Sequence, residues 1–216
     1  VSNTGMNTAT AILEVKGLNF RYPERPLFSD WSVSLSPGVT LVVGGDGRGK
    51  TTLLRLLAGE LAADAGELSI NGIPLQTHAK EKAYRQQVFW TEPRTEAFDQ
   101  LTPGHYFDVQ RSIYAGFDDG VLATCVDGLA LAPELNKQLF MLSTGSKRKV
   151  WLAAAFASGA ALTLLDMPFA ALDKASIRFV LALLEDAAAR PTRAFVVADY
   201  AAPAGVQLAG VIDLGD

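Results

Sequence analysis

Gly44-Gly45-Asp46-Gly47-Arg48-Gly49-Lys50-Thr51-Thr52 is the segment on which the reading of this chain turns. It satisfies the pattern G-x-x-x-x-G-K-[ST]. It lies between the apolar run Val39–Val43 and a helical pattern carrying Leu53, Leu54, Leu56 and Leu57. A short apolar run bounded by glycines is the mark of a strand buried on both faces. Strand, glycine-rich turn and helix in that order make a cradle for phosphate. Glycines let backbone N–H groups converge on phosphate oxygens without side-chain obstruction. The helix N-terminus adds partial positive charge. In such a loop Lys50 reaches the β- and γ-phosphates, and the Thr51 hydroxyl serves Mg²⁺. The segment predicts a nucleotide binder.

A second metal contact requires an acid at the end of a buried strand. Leu162-Thr163-Leu164-Leu165-Asp166 supplies one. An Asp at the C-terminal end of a parallel strand lies where such sheets bind ligands.

Working outward, Ile12–Tyr22 reads as a strand, and Trp31, Val33 and Leu35 share one face of another, ended by Pro37-Gly38. Glu67–Ile70, Asn71-Gly72 and Ile73–Leu75 form a hairpin pattern with a tight primed turn. Residues 76–140 are mixed, with weak helical patterns and a loop at Leu101-Thr102-Pro103-Gly104. Val150–Ala157 reads as helix and Ala161–Leu165 as a buried strand. Ile177, Val180, Leu181 and Leu184 lie at helical spacing on one face. Phe195–Ala198 and Val211–Leu214 are further strands. The order predicts an α/β domain with a parallel sheet, antiparallel strands at its start and a helical insertion.

Composition sets the bounds. The chain has 216 residues, 49% hydrophobic and 19% charged, with a formal net charge of −4. A single domain over 12–216 fits that length, with the helical insertion at about 93–158 and residues 1–11 as an N-terminal extension. Val1–Gly5 precede Met6 and are set aside from the fold. Residues 1–11 are polar and lack the apolar core of a signal peptide. The acidic balance argues against nucleic-acid binding by overall positive charge. Cys125 is the sole cysteine, which excludes an internal disulfide and a cysteine-rich zinc site. His78 and His105 are the only histidines, too few for a histidine metal cluster. The longest uncharged run, Val150–Leu165, falls short of the roughly 20 residues of a spanning helix. It reads as helix, turn and strand. Cys125 reads as a small buried helix residue, Phe140 and Met141 as core, and Lys147-Arg148-Lys149 as a solvated helix face. His105 reads as an exposed loop residue.

From about Leu13 to Leu214 these elements, in this order, resemble the nucleotide-binding subunit of ATP-binding cassette (ABC) transporters. Tyr22, on the first strand and before Pro23, matches the family's adenine-stacking aromatic. Leu142-Ser143-Thr144-Gly145-Ser146 resembles the family signature Leu-Ser-Gly-Gly-Gln. Ser143 is a good helix N-cap. Ala170-Ala171-Leu172-Asp173 resembles the D-loop, and Glu92 falls where the family carries the Q-loop glutamine. The resemblance implies a P-loop NTPase of the ABC type: a mostly parallel sheet, an N-terminal antiparallel β part and a small helical subdomain. It implies ATP and Mg²⁺ as ligands. ATP would contact Tyr22, the loop Gly44–Thr52 and, from the other subunit, Ser143 and Gly145. Lys50, Asp166 and Glu92 would be the catalytic set, and Thr51, Glu92 and Asp166 the metal ligands. Implied partners are a second ABC subunit, identical or different, in a head-to-tail pair, and a separate transmembrane subunit. The implied location is the cytoplasmic face of the cell membrane, with no nucleic acid expected.

The departures from the family pattern bear on hydrolysis. Met167 stands where the family has the glutamate that polarises the attacking water. A thioether does no acid–base work, and loss of a positioned general base costs roughly 10²–10⁴ in rate. Asp199 falls at the switch histidine, where an ionised carboxylate about 4 Å from a phosphate charge costs on the order of 4 kcal/mol at an effective dielectric of 20. Thr144 and Ser146 alter the signature. The binding parts are kept and the hydrolysing parts are mostly changed. Two functions follow: a transporter ATPase with slow turnover, or a nucleotide-gated regulatory or assembly protein that binds ATP without significant turnover. A soluble factor acting on ribosome or DNA fits less well, given one short cassette and an acidic balance.

Overall fold

The computed structural model describes residues 11–23, 25–75, 81–189 and 192–215. The reading of residues 1–10 as an extension and the position of His78 lie outside the described residues. Two sheets form the frame. In the first, β1 (Leu13–Tyr22) pairs antiparallel with β2 (Arg25–Leu35) on one side and β4 (Ala65–Ile70) on the other. β4 turns into β5 (Ile73–Pro74) through Asn71 at φ 50° and Gly72 at φ 74°. Two successive positive φ values are what a type I′ hairpin turn requires, as the Asn-Gly pair predicts.

The second sheet is wholly parallel. Its order is β6 (Val88–Phe89), β7 (Leu162–Asp166), β8 (Ala194–Ala198), β3 (Gly38–Val43) and β9 (Leu208–Asp213). Its central strands are largely apolar, with Thr40 and Thr163 buried among them, because both faces are covered. Val42, Leu164 and Val196 face a core shared with the antiparallel sheet. Val39, Leu165 and Val197 face a second core on the opposite side. The first core includes α1 (Lys50–Leu57), whose Leu53, Leu54, Leu56 and Leu57 are at most 1% exposed. Each buried leucine is worth about 1.5–3 kcal/mol, so the helix that follows the phosphate loop is fixed to the sheet.

A short helix, α2 (Glu81–Arg85), precedes β6. Between β6 and β7 lie α3 (Pro103–Ile113), α4 (Asp119–Gly128) and α5 (Thr144–Ala157); α6 (Lys174–Ala189) follows β7. These helices and their connections supply most of the second core. Cys125 is buried on α4 as its sequence context suggests. Two local readings need correction. Thr102-Pro103-Gly104 opens α3 rather than forming a loop, so the exposed His105 stands on a first helical turn. Thr102 Oγ1 accepts the His105 N–H at 3.2 Å, and proline suits the first helical position. Phe140 and Met141 are not core: they are 51% and 61% exposed. They lie on a 3-10 turn, Leu139–Met141, in which only Leu139 points inward. Both β3 and β7 run into the same edge of the parallel sheet, and that edge carries the site.

Candidate functional site

β3 ends at Val43, and the chain passes through the glycine-rich loop into α1. Gly49 precedes the helix in the left-handed region, at φ 100°. A Cβ there would lie 2.7 Å from Leu27 Cδ2 on β2, a side-chain end that can shift, so it is the backbone conformation that favours glycine. No side chain caps the helix, and its first N–H groups are available to an anion. Lys50 turns back over the loop. Its Nζ donates to the Gly44 carbonyl at 2.5 Å and the Gly45 carbonyl at 3.0 Å. It also lies 4.4 Å from the centroid of the Tyr200 ring. The Tyr200 hydroxyl in turn bonds the Asp46 carboxylate.

The end of β7 meets the start of α1. Thr51 Oγ1 donates to Asp166 Oδ2 at 2.7 Å. Burial raises the Asp166 pKa, against the hydrogen bond from Thr51 and the charges of Arg148 and Lys50. A half-buried carboxylate that would rather be neutral gains from a cation. Thr51, Asp166 and the exposed Glu92 offer oxygen donors only. That set suits Mg²⁺, whose shell is commonly completed by one or two carboxylates, waters and substrate phosphates. On the other side of the loop, the Tyr22 hydroxyl is 3.1 Å from Thr52 Oγ1.

These groups line one cleft of about 710 Å³. It brings together Tyr22, Gly45, Asp46, Gly47, Arg48, Gly49, Lys50, Thr51, Thr52, Glu92, Asp166 and Met167. Gly44 joins through its carbonyl contact with Lys50. Arg25, Arg94, Arg148 and Tyr200 also line the cleft and were not singled out as site residues in the sequence. With Arg48 and Lys50, the cleft wall is rich in cations although the whole chain is acidic. Concentrated positive charge on an acidic protein marks a place for an anionic ligand.

Ser143, Gly145 and Asp199 do not line this cleft. Ser143 is the N-cap of α5 and accepts the Ser146 N–H at 3.1 Å. Gly145 lies against the connection after β7: a Cβ there would stand 2.4 Å from the Ala171 carbonyl oxygen. The Asp199 carboxylate accepts the Tyr200 N–H at 2.7 Å, and its own N–H donates to the Val42 carbonyl at 3.1 Å. The Tyr200 ring, rather than the Asp199 carboxylate, therefore packs on Lys50. Met167 has φ 48°, and its N–H donates to the Ala198 carbonyl at 2.8 Å.

The basic triplet at the start of α5 is not a solvated face. Lys147 pairs with Asp99 at 2.6 Å and Lys149 with Asp173 at 2.8 Å. Arg148 Nη1 donates to the Asp166 carbonyl at 3.0 Å and also to the Met167 carbonyl. The reason is that α5 is packed on several sides. Arg148 stands three and four residues before the buried Trp151 and Leu152, which puts it on an inward face. That spacing was a signal available in the sequence.

Comparisons with known proteins agree with one another. The family described as "ABC transporter" matches residues 28–170. A cytochrome c biogenesis ATP-binding export protein, CcmA, of Escherichia coli (strain K12) is 36% identical over 166 residues, covering 75% of this chain and 76% of that protein. The protein of the same name from Nitrosococcus oceani is 35% identical over 187 residues, covering 86% and 85%. Among solved structures, an ATP-binding subunit of an ABC transporter superposes with a TM-score of 0.76 at 23% identity, covering 87% of this chain and 79% of that one. An ABC transporter ATP-binding protein from Pyrococcus furiosus gives 0.74 at 21% identity, covering 94% and 96%. The two structures share the fold. Among the described residues, no helix is long and apolar enough to cross a membrane.

Proposed function

Since the chain belongs to the ABC transporter family as an ATP-binding subunit, we propose that it binds Mg·ATP in this cleft and hydrolyses it slowly to drive a separate membrane subunit. The observation that carries the reading is the convergence of Lys50, Thr51 and Asp166, from the loop after β3 and the end of β7, in one cation-lined cleft. Lys50 would exchange the Gly44 and Gly45 carbonyls for phosphate oxygens. Tyr22 would carry the adenine, and the open N-terminus of α1 would receive the phosphates. Thr51, Asp166 and Glu92 would hold Mg²⁺, which neutralises charge on the β- and γ-phosphates when bound. Ser143 and Gly145, outside the cleft, would address the nucleotide of a second ABC subunit across a head-to-tail interface. The names of the relatives favour export over import, in the service of cytochrome c biogenesis. The working location would be the cytoplasmic face of the membrane beside that subunit.

Met167 favours a second reading, a nucleotide-gated protein with negligible turnover. Met167 lines the cleft, and a thioether cannot accept a proton from water. Glu92 is then the first acid to suspect as a substitute. Calorimetry with Mg·ATP and phosphate release on the same preparation separate the two readings. The wild type is expected to bind and to turn over more slowly than about 1 s⁻¹, the lower end of usual enzyme rates. Lys50→Ala should weaken binding strongly, because backbone dipoles alone then face the β- and γ-phosphates. Equal affinity in that variant would refute the phosphate-loop assignment. Co-purification with a membrane subunit would test the transport part of the reading.

A further inference from the structure

Arg148 has more donors than the protein uses. Nη1 is spent on the Asp166 and Met167 carbonyls. Nε is sealed from solvent and has no hydrogen-bond partner. Nη2 makes no hydrogen bond among the described residues and is not sealed as Nε is. Arg148 borders the main cleft, which Arg94 also lines, and a second pocket of only about 30 Å³ against Phe89, Trp151 and Pro168; the main cleft alone has room for a phosphate. Burial and the nearby charge of Arg94 both work against the charged guanidinium, while Asp166 and Asp199 support it. A cation held in partial burial, beside a second cation and with a donor unspent, is arranged for an anion.

The position along the cleft says which anion. Tyr22 and Thr52 mark the end where the base would lie, and Thr51 with Asp166 marks the metal and outer-phosphate end. Arg148 bonds the backbone of Asp166 and Met167, which puts it at this Thr51–Asp166 end. We propose that Arg148 is a terminal-phosphate sensor, acting within its own subunit, that contacts the γ-phosphate of a bound nucleoside triphosphate and ties it to α5. The inference rests on the nucleotide reading of the cleft. A guanidinium presents a planar fork to phosphoryl oxygens, which an ammonium cannot reproduce. Because Ser143 caps the same helix one turn earlier, the contact gives the signature segment a rigid report of what the cleft holds. It also offers positive charge beside the position where the family's glutamate is absent.

The test is the ratio of ATP to ADP affinity, measured by calorimetry with Mg²⁺ on wild type, Arg148→Gln and Arg148→Lys, each checked for a cooperative thermal melt. Arg148→Gln is expected to weaken ATP about tenfold or more, in line with loss of a charge-assisted hydrogen bond. It should change ADP by less than about twofold, since ADP lacks the group contacted. Arg148→Lys should give a smaller loss, still confined to ATP. If Arg148→Gln does not fold, the lysine variant carries the test alone. Equal losses for ATP and ADP, or none for either, would overturn the proposal and leave Arg148 as a clamp on the Met167 backbone. Failure of the wild type to bind either nucleotide would instead overturn the nucleotide reading itself.

Discussion

Tyr22 touches the phosphate loop through its hydroxyl, 3.1 Å from Thr52 Oγ1, while the residue is 43% exposed and lines the cleft. An exposed ring face can take a flat base, and base–aromatic stacking is worth roughly 1–3 kcal/mol. Tyr22→Ala is expected to weaken ATP about tenfold or more in calorimetry, while Tyr22→Phe loses only a part-exposed hydrogen bond worth about 1 kcal/mol or less. Matching losses in the two variants would assign the effect to the hydroxyl and Thr52, not to stacking. Met167 and Asp199 pose a different question, because on the proposed reading both would bear on one chemical step. Met167 is held in a left-handed conformation by the Ala198 carbonyl and by Arg148, so a glutamate placed there inherits a fixed backbone. Met167→Glu should raise phosphate release, Asp199→His should raise it less, and the double variant should exceed the product of the two gains. Groups that act as a unit are not additive. A wild-type rate of about 1 s⁻¹ or more would show that another residue already serves as base.

α5 shows how a polar burden is managed inside an apolar element. From Val150 to Ala157 every residue is buried, so the last carbonyls of the helix have no access to water. Arg193, just before β8, closes that end. Its guanidinium donates to the carbonyls of Ala160 at 2.7 Å, Phe156 at 3.1 Å and Ala155 at 3.3 Å, and to Thr163 Oγ1 at 2.9 Å. It also packs 4.9 Å from the centroid of the Phe195 ring. Burial lowers its pKa to about 10, which still leaves it charged at neutral pH. A cation at a helix C-terminus is favourable, and more so when partly buried. Arg193→Met would strip this partner from the Phe156 and Ala160 carbonyls, the Ala155 carbonyl still accepting from Ser158 Oγ at 2.8 Å, and should destabilise the fold by about 2–4 kcal/mol in urea unfolding. Arg193→Lys should recover only part of this, since one ammonium cannot reach acceptors spread around a planar fork. A loss of under about 0.5 kcal/mol for the methionine variant, the range of ordinary surface substitutions, would mean that water serves these carbonyls instead.

The two cores also fix how the whole molecule responds to alkali. Burial pushes the Cys125 thiol up to about 12 and drives the Tyr84, Tyr106 and Tyr114 phenols upward as well. These groups ionise at lower pH in the unfolded chain than in the fold. Above the ordinary thiol value of about 9 the unfolded state therefore binds fewer protons, and stability falls as pH rises. Tyr22 and Tyr200 are exposed. A spectrophotometric titration is expected to show the Tyr84, Tyr106 and Tyr114 phenols ionising only as the protein unfolds. Cys125 should likewise resist a thiol reagent until unfolding. Ionisation of these three phenols while native circular dichroism persists would contradict this account of the cores.

Local chemistry made the framework legible in advance. A glycine-rich loop between an apolar strand and a leucine-bearing helix is specified by residues close together in the chain. The same holds for the Asn71-Gly72 turn, for the strand ending at Asp166, and for Ser143 as a helix cap. These follow from allowed φ values, burial on two sheet faces and hydrogen bonds to near neighbours, and the structure forms them where the sequence places them. What pairs across distance was not legible. Lys147-Arg148-Lys149 reads as a charged patch until Asp99, the Asp166–Met167 backbone and Asp173 are brought to it. Phe140 and Met141 read as core until a tight turn faces them outward. Tyr200, next to the residue that drew attention, reaches Lys50 only because β8 and β3 lie side by side and end at the same edge. Sequence spacing sets a side chain's chemistry and its local conformation. Its partners depend on which strands become neighbours, and that is settled by burial of two cores over the whole chain.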